Sequence, residues 1–225
     1  MVGKIRDRYE DGRVKQRLRE LTPEMLLKAY SLGIFPMAEK REDDTIYWID
    51  PETRGIIPLH SFHISHSLRH ALRHDHYRLS VNQAFMEIIA ACAASRPGRR
   101  ETWINHPIEG LCIELHRMGF AHSVEVWRDK ELIGGLYGIA LGGVFFGESM
   151  VSMAENASKI ALVELVARLK AGGYGLLDTQ FVTSHLAQFG AIEVPREQYR
   201  QLLKNALPIP AHFPLNPEAH WASLF

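Results

Sequence analysis

Residues 121–180 read AHSVEVWRDK ELIGGLYGIA LGGVFFGESM VSMAENASKI ALVELVARLK AGGYGLLDTQ, and this stretch decides the fold. Residues 122–127, 132–139 and 144–150 carry the two-residue period of strands, with Arg128-Asp129-Lys130 as a tight turn between the first two. They predict three successive antiparallel strands. Asn156 then stands where a helix cap is expected. The helix runs to about Lys170, and Gly172-Gly173 leads into a strand over residues 176–180. A meander followed by helix and strand predicts an α+β fold on a mixed sheet.

Upstream, Thr22-Pro23-Glu24 combines an N-cap, a first-turn proline and an acid that suits the helix dipole, so a helix is predicted to about Ser31. Gly33 stops it, and residues 33–37 leave as an apolar loop. A short strand over 46–49 follows, then a turn cluster over 50–55 that precedes a domain boundary near residue 60. The expected division is a small N-terminal α/β domain, 1–60, and a larger domain, 61–225. Helices are predicted over 65–74, from Asn82 with Phe85, Ile88, Ile89 and Cys92 on one face, and from Pro107 to Met118. Beyond residue 180 a short helix (184–189), a strand (191–194) and a last helix from Pro195 complete the chain.

Of the 225 residues 46% are apolar, enough for a sizeable core. Lys and Arg together number 26, as do Asp and Glu, so no whole-chain field draws the protein to nucleic acid or an anionic membrane; a nucleic-acid contact needs a local patch. Cys92 and Cys112 are too few to staple a secreted fold and are expected as buried thiols. The charged first ten residues hold no apolar signal core, and no run of about 18 apolar residues exists. A cytoplasmic monomer without membrane contact is expected.

Acidic groups stand inside apolar segments at two strand ends. Asp178 and Gln180 are two apart on a strand, so their side chains are expected to share a face and a pocket; otherwise Asp178 caps the following turn. Glu148 ends a neighbouring strand behind Gly147, free to meet a ligand or to pair with Lys159. Trp103 and Trp48 lie beside loops, where an indole stacks on a base or joins the core. His63, His66, His70 and His74 recur at helical steps, but Arg69 and Arg73 intervene and no carboxylate completes a ligand set, so no metal site is expected. Arg69, Arg73, Arg78, Arg96, Arg99 and Arg100 form either a phosphate-binding patch or a solvated face. The phosphate loop, the dinucleotide glycines, His-Glu-x-x-His and the Gly-x-Ser-x-Gly elbow are all missing, and no cofactor is expected.

Several segments together resemble the leucyl/phenylalanyl-tRNA–protein transferase family. They are residues 27–36 (LKAYSLGIFP), 101–104 (ETWI), 121–127 (AHSVEVW), 133–138 (IGGLYG), 147–150 (GESM), 156–159 (NASK) and 177–180 (LDTQ). The resemblance implies an acetyltransferase-like (GNAT) larger domain that has abandoned coenzyme A. It also implies transfer of Leu or Phe, with Met a further option, from aminoacyl-tRNA to the α-amine of proteins beginning with Lys or Arg, which marks them for N-degron-dependent degradation. An amino acid esterified to tRNA is already activated, so the absence of ATP motifs fits this chemistry.

In the reading that the resemblance implies, Asp178 and Gln180 orient the acceptor amine and Asp178 favours its developing charge or relays its proton. Glu148 helps hold the acceptor end. The donor side chain enters an apolar pocket of Leu136, Phe145, Met150, Leu165 and Leu177. Trp103 stacks on the terminal adenosine, Tyr30 belongs to the same substrate-binding set, and Arg73 and Arg78 meet the tRNA stem. Met37 stands where relatives often carry a second adenosine-facing tryptophan, and Val151-Ser152-Met153 replaces a common Phe-Ser-Arg. Two rival readings share the element order or the pocket: a coenzyme A-dependent N-acetyltransferase, against which Glu155 blocks the expected pyrophosphate loop, and a binding module for peptide N-termini or RNA.

Overall fold

The structure, a computed structural model, describes residues 13–16, 21–74, 76–95, 102–215 and 220–224. Arg96, Arg99, Arg100 and Glu101 lie outside the described residues. A small antiparallel sheet orders β1 (Arg13–Gln16), β3 (Ile46–Ile49) and β2 (Phe35–Met37) as β1-β3-β2. Helix α1 (Pro23–Ser31) precedes β2, and Thr22 caps it by accepting from the Met25 amide. Residues 35–37, expected as a loop, are an edge strand. There Pro36 is tolerated, because a missing N–H on the open side removes no ladder bond.

Among the described residues the large sheet has seven strands. They are β4 (Thr53–Ile57), β5 (Arg78–Val81), β6 (Ala121–Arg128), β7 (Glu131–Leu141), β8 (Val144–Ser152), β9 (Leu176–Gln180) and β10 (Ile192–Pro195), in the order β10-β4-β9-β8-β7-β6-β5. Only β8 and β9 run parallel, so the sheet is mixed. The meander β6-β7-β8 forms as its period predicts. Residues 50–55 do not form only a turn: from Thr53 they enter β4, which lies between β9 and β10. Pro51 and Gly55 hid that strand. Its pairing comes from partners more than a hundred residues away.

Helices α2 (His66–His74) and α5 (Ala157–Ala171) cover one face, and α3 (Phe85–Ala93) and α4 (His106–Arg117) the other. Strand alternation feeds both cores: Tyr137 and Phe146 pack with α3 and α4, while Leu136 and Phe145 pack with α5. Nearly all of α5 is buried, including Glu164 and Arg168, which pair at 2.8 Å. Their remaining groups meet the chain after α7 (Arg196–Ala206): Arg168 donates to the Pro214 carbonyl and Glu164 accepts from the Trp221 amide. A short helix, α6 (Ser184–Ala187), connects β9 to β10. Cys92 and Cys112 are buried thiols that are not joined in a disulfide. Among the described residues no helix is long and apolar enough to cross a membrane.

Two expected caps are something else. Asn156 makes no side-chain cap bond and stands at φ +62°, a left-handed conformation that Asn tolerates better than most residues. Ser152 caps α5 instead, accepting from the Ser158 amide at 3.0 Å. Asn82, also left-handed, bridges to the Ser123 amide and the His122 ring, and α3 opens three residues later. Replacing Asn156 by Gly should therefore leave stability within a few tenths of a kcal/mol, while Asn156→Ala lowers it by about 1–2 kcal/mol. Ser152→Ala should cost about 1 kcal/mol by loss of the cap. Urea unfolding of the three variants measures all of this.

Candidate functional site

β8 and β9 pair only over residues 144–146 and 176–178, and then they part. Each carries a bulge where the parting begins. Opposite Tyr137 and Gly138 of β7, β8 places Ser149 and Gly147, which leaves Glu148 as the extra residue. Opposite Gly55 and Ile56 of β4, β9 places Gln180 and Asp178, which leaves Thr179 extra. A bulge turns a side chain out of the regular alternation and opens the ladder locally. The gap holds a cavity of about 510 Å³.

One wall of the cavity is Phe35, Met37 and Trp103. The backbone holds Met37 and Trp103 together, since the Ala38 amide donates to the Trp103 carbonyl at 3.0 Å. Leu136, Met150, Leu162, Leu165 and Leu177 form an apolar slot between the sheet and α5. Glu148, Thr179 and Gln180 supply polar groups at the strand ends, and Ser152, Ser158, Thr183 and His185 lie along the far side.

Glu148 is recessed, with only part of its surface exposed, and lines the cavity. Desolvation pushes its carboxyl up to about 8, against a hydrogen bond from Tyr30 and the attraction of Arg54, with Asp178 adding repulsion. The Gln180 amide has two orientations. One brings its nitrogen 3.4 Å from Glu148 Oε1; the other lets that nitrogen donate to the carbonyls of Gly147 at 2.7 Å and Thr179 at 3.1 Å. The second is far better satisfied, and it turns the amide oxygen toward Glu148. Two acceptor oxygens then face one another across the polar end of the cavity. Such a pair calls for a proton or a cation between them.

Asp178 is elsewhere. It does not line the cavity and is 0% exposed. The expected shared face with Gln180 fails because the bulge at Thr179 breaks the alternation between them. Asp178 does bond the Gln180 amide at 2.8 Å, which is the turn-capping geometry. Its other partners are Arg54, an ion pair at 2.6 Å, and the Tyr199 hydroxyl at 2.5 Å. Sequence reasoning missed both: Arg54 sat inside an apparent turn cluster 124 positions away, and Tyr199 reads as an ordinary apolar-face residue of α7.

The other expected site residues divide. Trp103, Met37, Leu136, Met150, Leu165 and Leu177 line the cavity with Glu148 and Gln180. Tyr30 and Phe145 do not. Tyr30 is 1% exposed, packs on Phe146 and bonds Glu148 from behind. Phe145 points beneath the slot, against Tyr174 and Phe213. Lys159, weighed as a partner for Glu148, lies near His185. Arg73 is on the exposed face of α2, and Arg78 on edge strand β5 bonds Gln83 and lies over the Trp127 ring. Neither lines the cavity. Among the described residues no three His, Cys, Asp or Glu side chains are grouped to hold a metal ion.

A family model described as leucyl/phenylalanyl-tRNA protein transferase matches residues 56–204, and the model of that family's N-terminal domain matches residues 19–52. Relatives named leucyl/phenylalanyl-tRNA–protein transferase include that of Nitrobacter winogradskyi, 58% identical over 84% of each chain. Another is that of Maricaulis maris, 54% identical over 89% of this chain and 93% of the relative. Among solved structures, L-PGS from Bacillus licheniformis is 17% identical with a TM-score of 0.38, covering 73% of this chain and 55% of that one, a likeness too slight to bear on function. With two thirds of its length matched by the family model and more than half of the aligned residues identical to those relatives over most of both chains, this chain belongs to the leucyl/phenylalanyl-tRNA–protein transferase family.

Proposed function

We propose that this chain transfers Leu or Phe from aminoacyl-tRNA to the α-amine of proteins that begin with Lys or Arg, and that the cavity between β8 and β9 is where it does so. The observation that carries the reading is the joining, in one space, of an aromatic and thioether wall, an apolar slot and a recessed carboxyl. Those are the surfaces that an adenosine end, an apolar side chain and a basic amino terminus need. Chemically, the amine nitrogen attacks the ester carbonyl, an amide bond forms and the ester C–O bond breaks. The nitrogen loses a proton and the departing ribose oxygen gains one. No cofactor enters this balance.

In this reading the terminal adenosine meets Trp103 and Met37, whose sulfur takes part of the role of a second ring. The donor side chain fills the slot of Leu136, Met150, Leu165 and Leu177. Gln180 and Glu148 orient the acceptor. Arg73 and Arg78 serve the tRNA stem from outside the cavity. The meander, the helix α5 and the parallel strand β9 that opens from β8 support an acetyltransferase-like (GNAT) arrangement. Residues 1–60 act as a small N-terminal unit that supplies Phe35 and Met37 to one wall, with β4 lent to the large sheet. A cytoplasmic location belongs to the same proposal.

The decisive assay incubates the chain with radiolabelled leucyl-tRNA and an Arg-initiated peptide, with and without ribonuclease, and separately with acetyl-coenzyme A. Label in the peptide only with intact tRNA is expected; acetylation alone would overturn the reading. A hydrophobic slot distinguishes its occupants by about 1–3 kcal/mol. Widening it by Met150→Ala should therefore shift the ratio of Phe to Leu transfer toward Phe by about tenfold, measured as relative kcat/KM.

Glu148 gives a prediction in pH. Its folded value of about 8 lies above the ordinary 4.5, so the folded chain holds the proton more tightly than the unfolded chain. Stability then falls as pH rises from 4.5 through 8, by no more than about 5 kcal/mol. Glu148→Gln, which stays neutral, should lose that slope, so its Tm exceeds wild type at pH 8.5 and converges with it at pH 5. The same variant should raise KM for the Arg-initiated peptide by about tenfold and leave KM for aminoacyl-tRNA nearly unchanged.

A further inference from the structure

Behind the cavity lies a cluster of buried groups that no substrate reaches. The Arg54 side chain is 1% exposed. Its Nε donates to Asp178 Oδ1 at 2.9 Å, one terminal nitrogen to Oδ2 at 2.6 Å, and the other to the Gly33 carbonyl at 2.9 Å. The guanidinium is held between two rings, with Phe35 at 4.4 Å and Tyr199 at 4.6 Å. Tyr199 donates its hydroxyl to Asp178 Oδ2, and the Gln180 amide donates to Oδ1. A carboxylate offers about four lone-pair directions. Two donors from Arg54, one from Tyr199 and one from Gln180 occupy them, so nothing of Asp178 is left for an incoming amine.

We propose that Arg54 and Tyr199 are positioning residues of the transfer reaction, which hold Asp178 so that it sets the backbone of Gln180 and never touches the acceptor itself. This rests on reading the cavity as the transfer site. Gln180 stands at φ +58°, a conformation that a residue with a side chain keeps only when its surroundings hold it there. The Asp178 carboxylate does so by accepting the Gln180 N–H. The strand that carries Arg54 closes over the same turn. A Cβ on Gly55 would stand 2.6 Å from the Phe181 carbonyl carbon and 2.9 Å from the Val182 nitrogen, so the chain after Gln180 lies flush on β4. With the turn set, the Gln180 amide reaches the Gly147 carbonyl and presents its oxygen beside Glu148.

Arg54 also sets the opposite wall. Its bond to Gly33 and its contact with Phe35 fix the segment that runs into Met37, so one guanidinium spaces the adenosine-facing wall from the acceptor-facing end. Lysine cannot reproduce this, because an ammonium has neither the fork for a carboxylate nor a flat face for two rings. Tyr199 closes the last lone pair of Asp178 from α7.

The experiment compares wild type, Tyr199→Phe, Arg54→Lys, Asp178→Asn and the double variant Tyr199→Phe/Asp178→Asn. Tyr199→Phe removes one oxygen and is the variant expected to keep its fold, checked by circular dichroism and Tm. It should lower kcat with leucyl-tRNA and the Arg-initiated peptide about tenfold, with both KM values within threefold of wild type. Hydrogen exchange at the Gln180 backbone amide should accelerate at least tenfold in Tyr199→Phe and Arg54→Lys, a readout that does not depend on turnover. In the Asp178→Asn background, Tyr199→Phe should have no further effect on kcat, because both act through one carboxylate. The acid limb of kcat against pH should stay where it is.

Wild-type kcat or unchanged Gln180 exchange in Tyr199→Phe overturns the proposal. So does a full tenfold loss on top of Asp178→Asn, or an acid limb that moves upward, which would mean that Asp178 itself titrates against the amine. A wild-type chain that transfers no label overturns the functional reading and the proposal with it. An active wild type beside an unaffected Tyr199→Phe overturns the proposal alone.

Discussion

The buried ion pair between Arg54 and Asp178 ties together four separate parts of the chain. Arg54 comes from the second strand of the large sheet, Asp178 from the third, Gly33 and Phe35 from the segment after α1, and Tyr199 from the last long helix. Breaking such a pair from one side strands an uncompensated charge in the interior and costs about 3–5 kcal/mol. Its geometry is of the kind that offsets desolvation: a forked guanidinium on a carboxylate, the other oxygen lone pairs filled by a hydroxyl and an amide, and aromatic rings over the cation. Phe35, whose ring Arg54 covers, and Leu177 and Thr179, which flank Asp178, all line the cavity.

A second constraint is the parting of β8 from β9. Parallel strands that separate at their carboxyl ends leave a crevice whose floor is backbone and whose sides are whatever the strands present. The bulges at Glu148 and Thr179 aim polar groups into that crevice, while the regular alternation of Leu136, Met150 and Leu177 keeps its depth apolar. One short region thus offers an apolar slot and a cation-seeking carboxyl side by side. The carboxyl is shielded enough to hold its proton near neutrality until a positive charge arrives. In the proposed reading a basic amino terminus supplies that charge, and an apolar side chain supplies the contacts of the slot.

Much of the frame was legible in the sequence because it is local. The two-period runs of residues 121–152, the helical faces of α3 and α4 and the capped start of α1 follow from side chains near one another along the chain, and they form where the pattern puts them. Glu148 and Gln180 could be singled out because polar groups stand at the ends of apolar strands, Trp103 because a large ring lies beside a loop, and Met37 only through the family resemblance. Where the reading went astray, the cause was a partner out of local reach. Asn156 and Asn82 have the residue type of a cap but spend it on a left-handed backbone. Phe35–Met37 and Thr53–Ile57 look like loops because proline and glycine punctuate them, and become strands when distant neighbours supply the ladder.

The sequence by itself determined the kind of sheet, the course of its central meander and the chemical character of the groups gathered around it. Only the tertiary structure decided that Glu148 and Gln180 face the cavity while Asp178 withdraws behind them. A strand's period assigns alternate residues to one face, and by that rule Asp178 and Gln180 are companions. The rule fails at a bulge, and bulges arise from how one strand registers against another. The charge of Asp178 is likewise answered by a guanidinium 124 residues earlier, a pairing that exists only once the sheet has brought the two strands together.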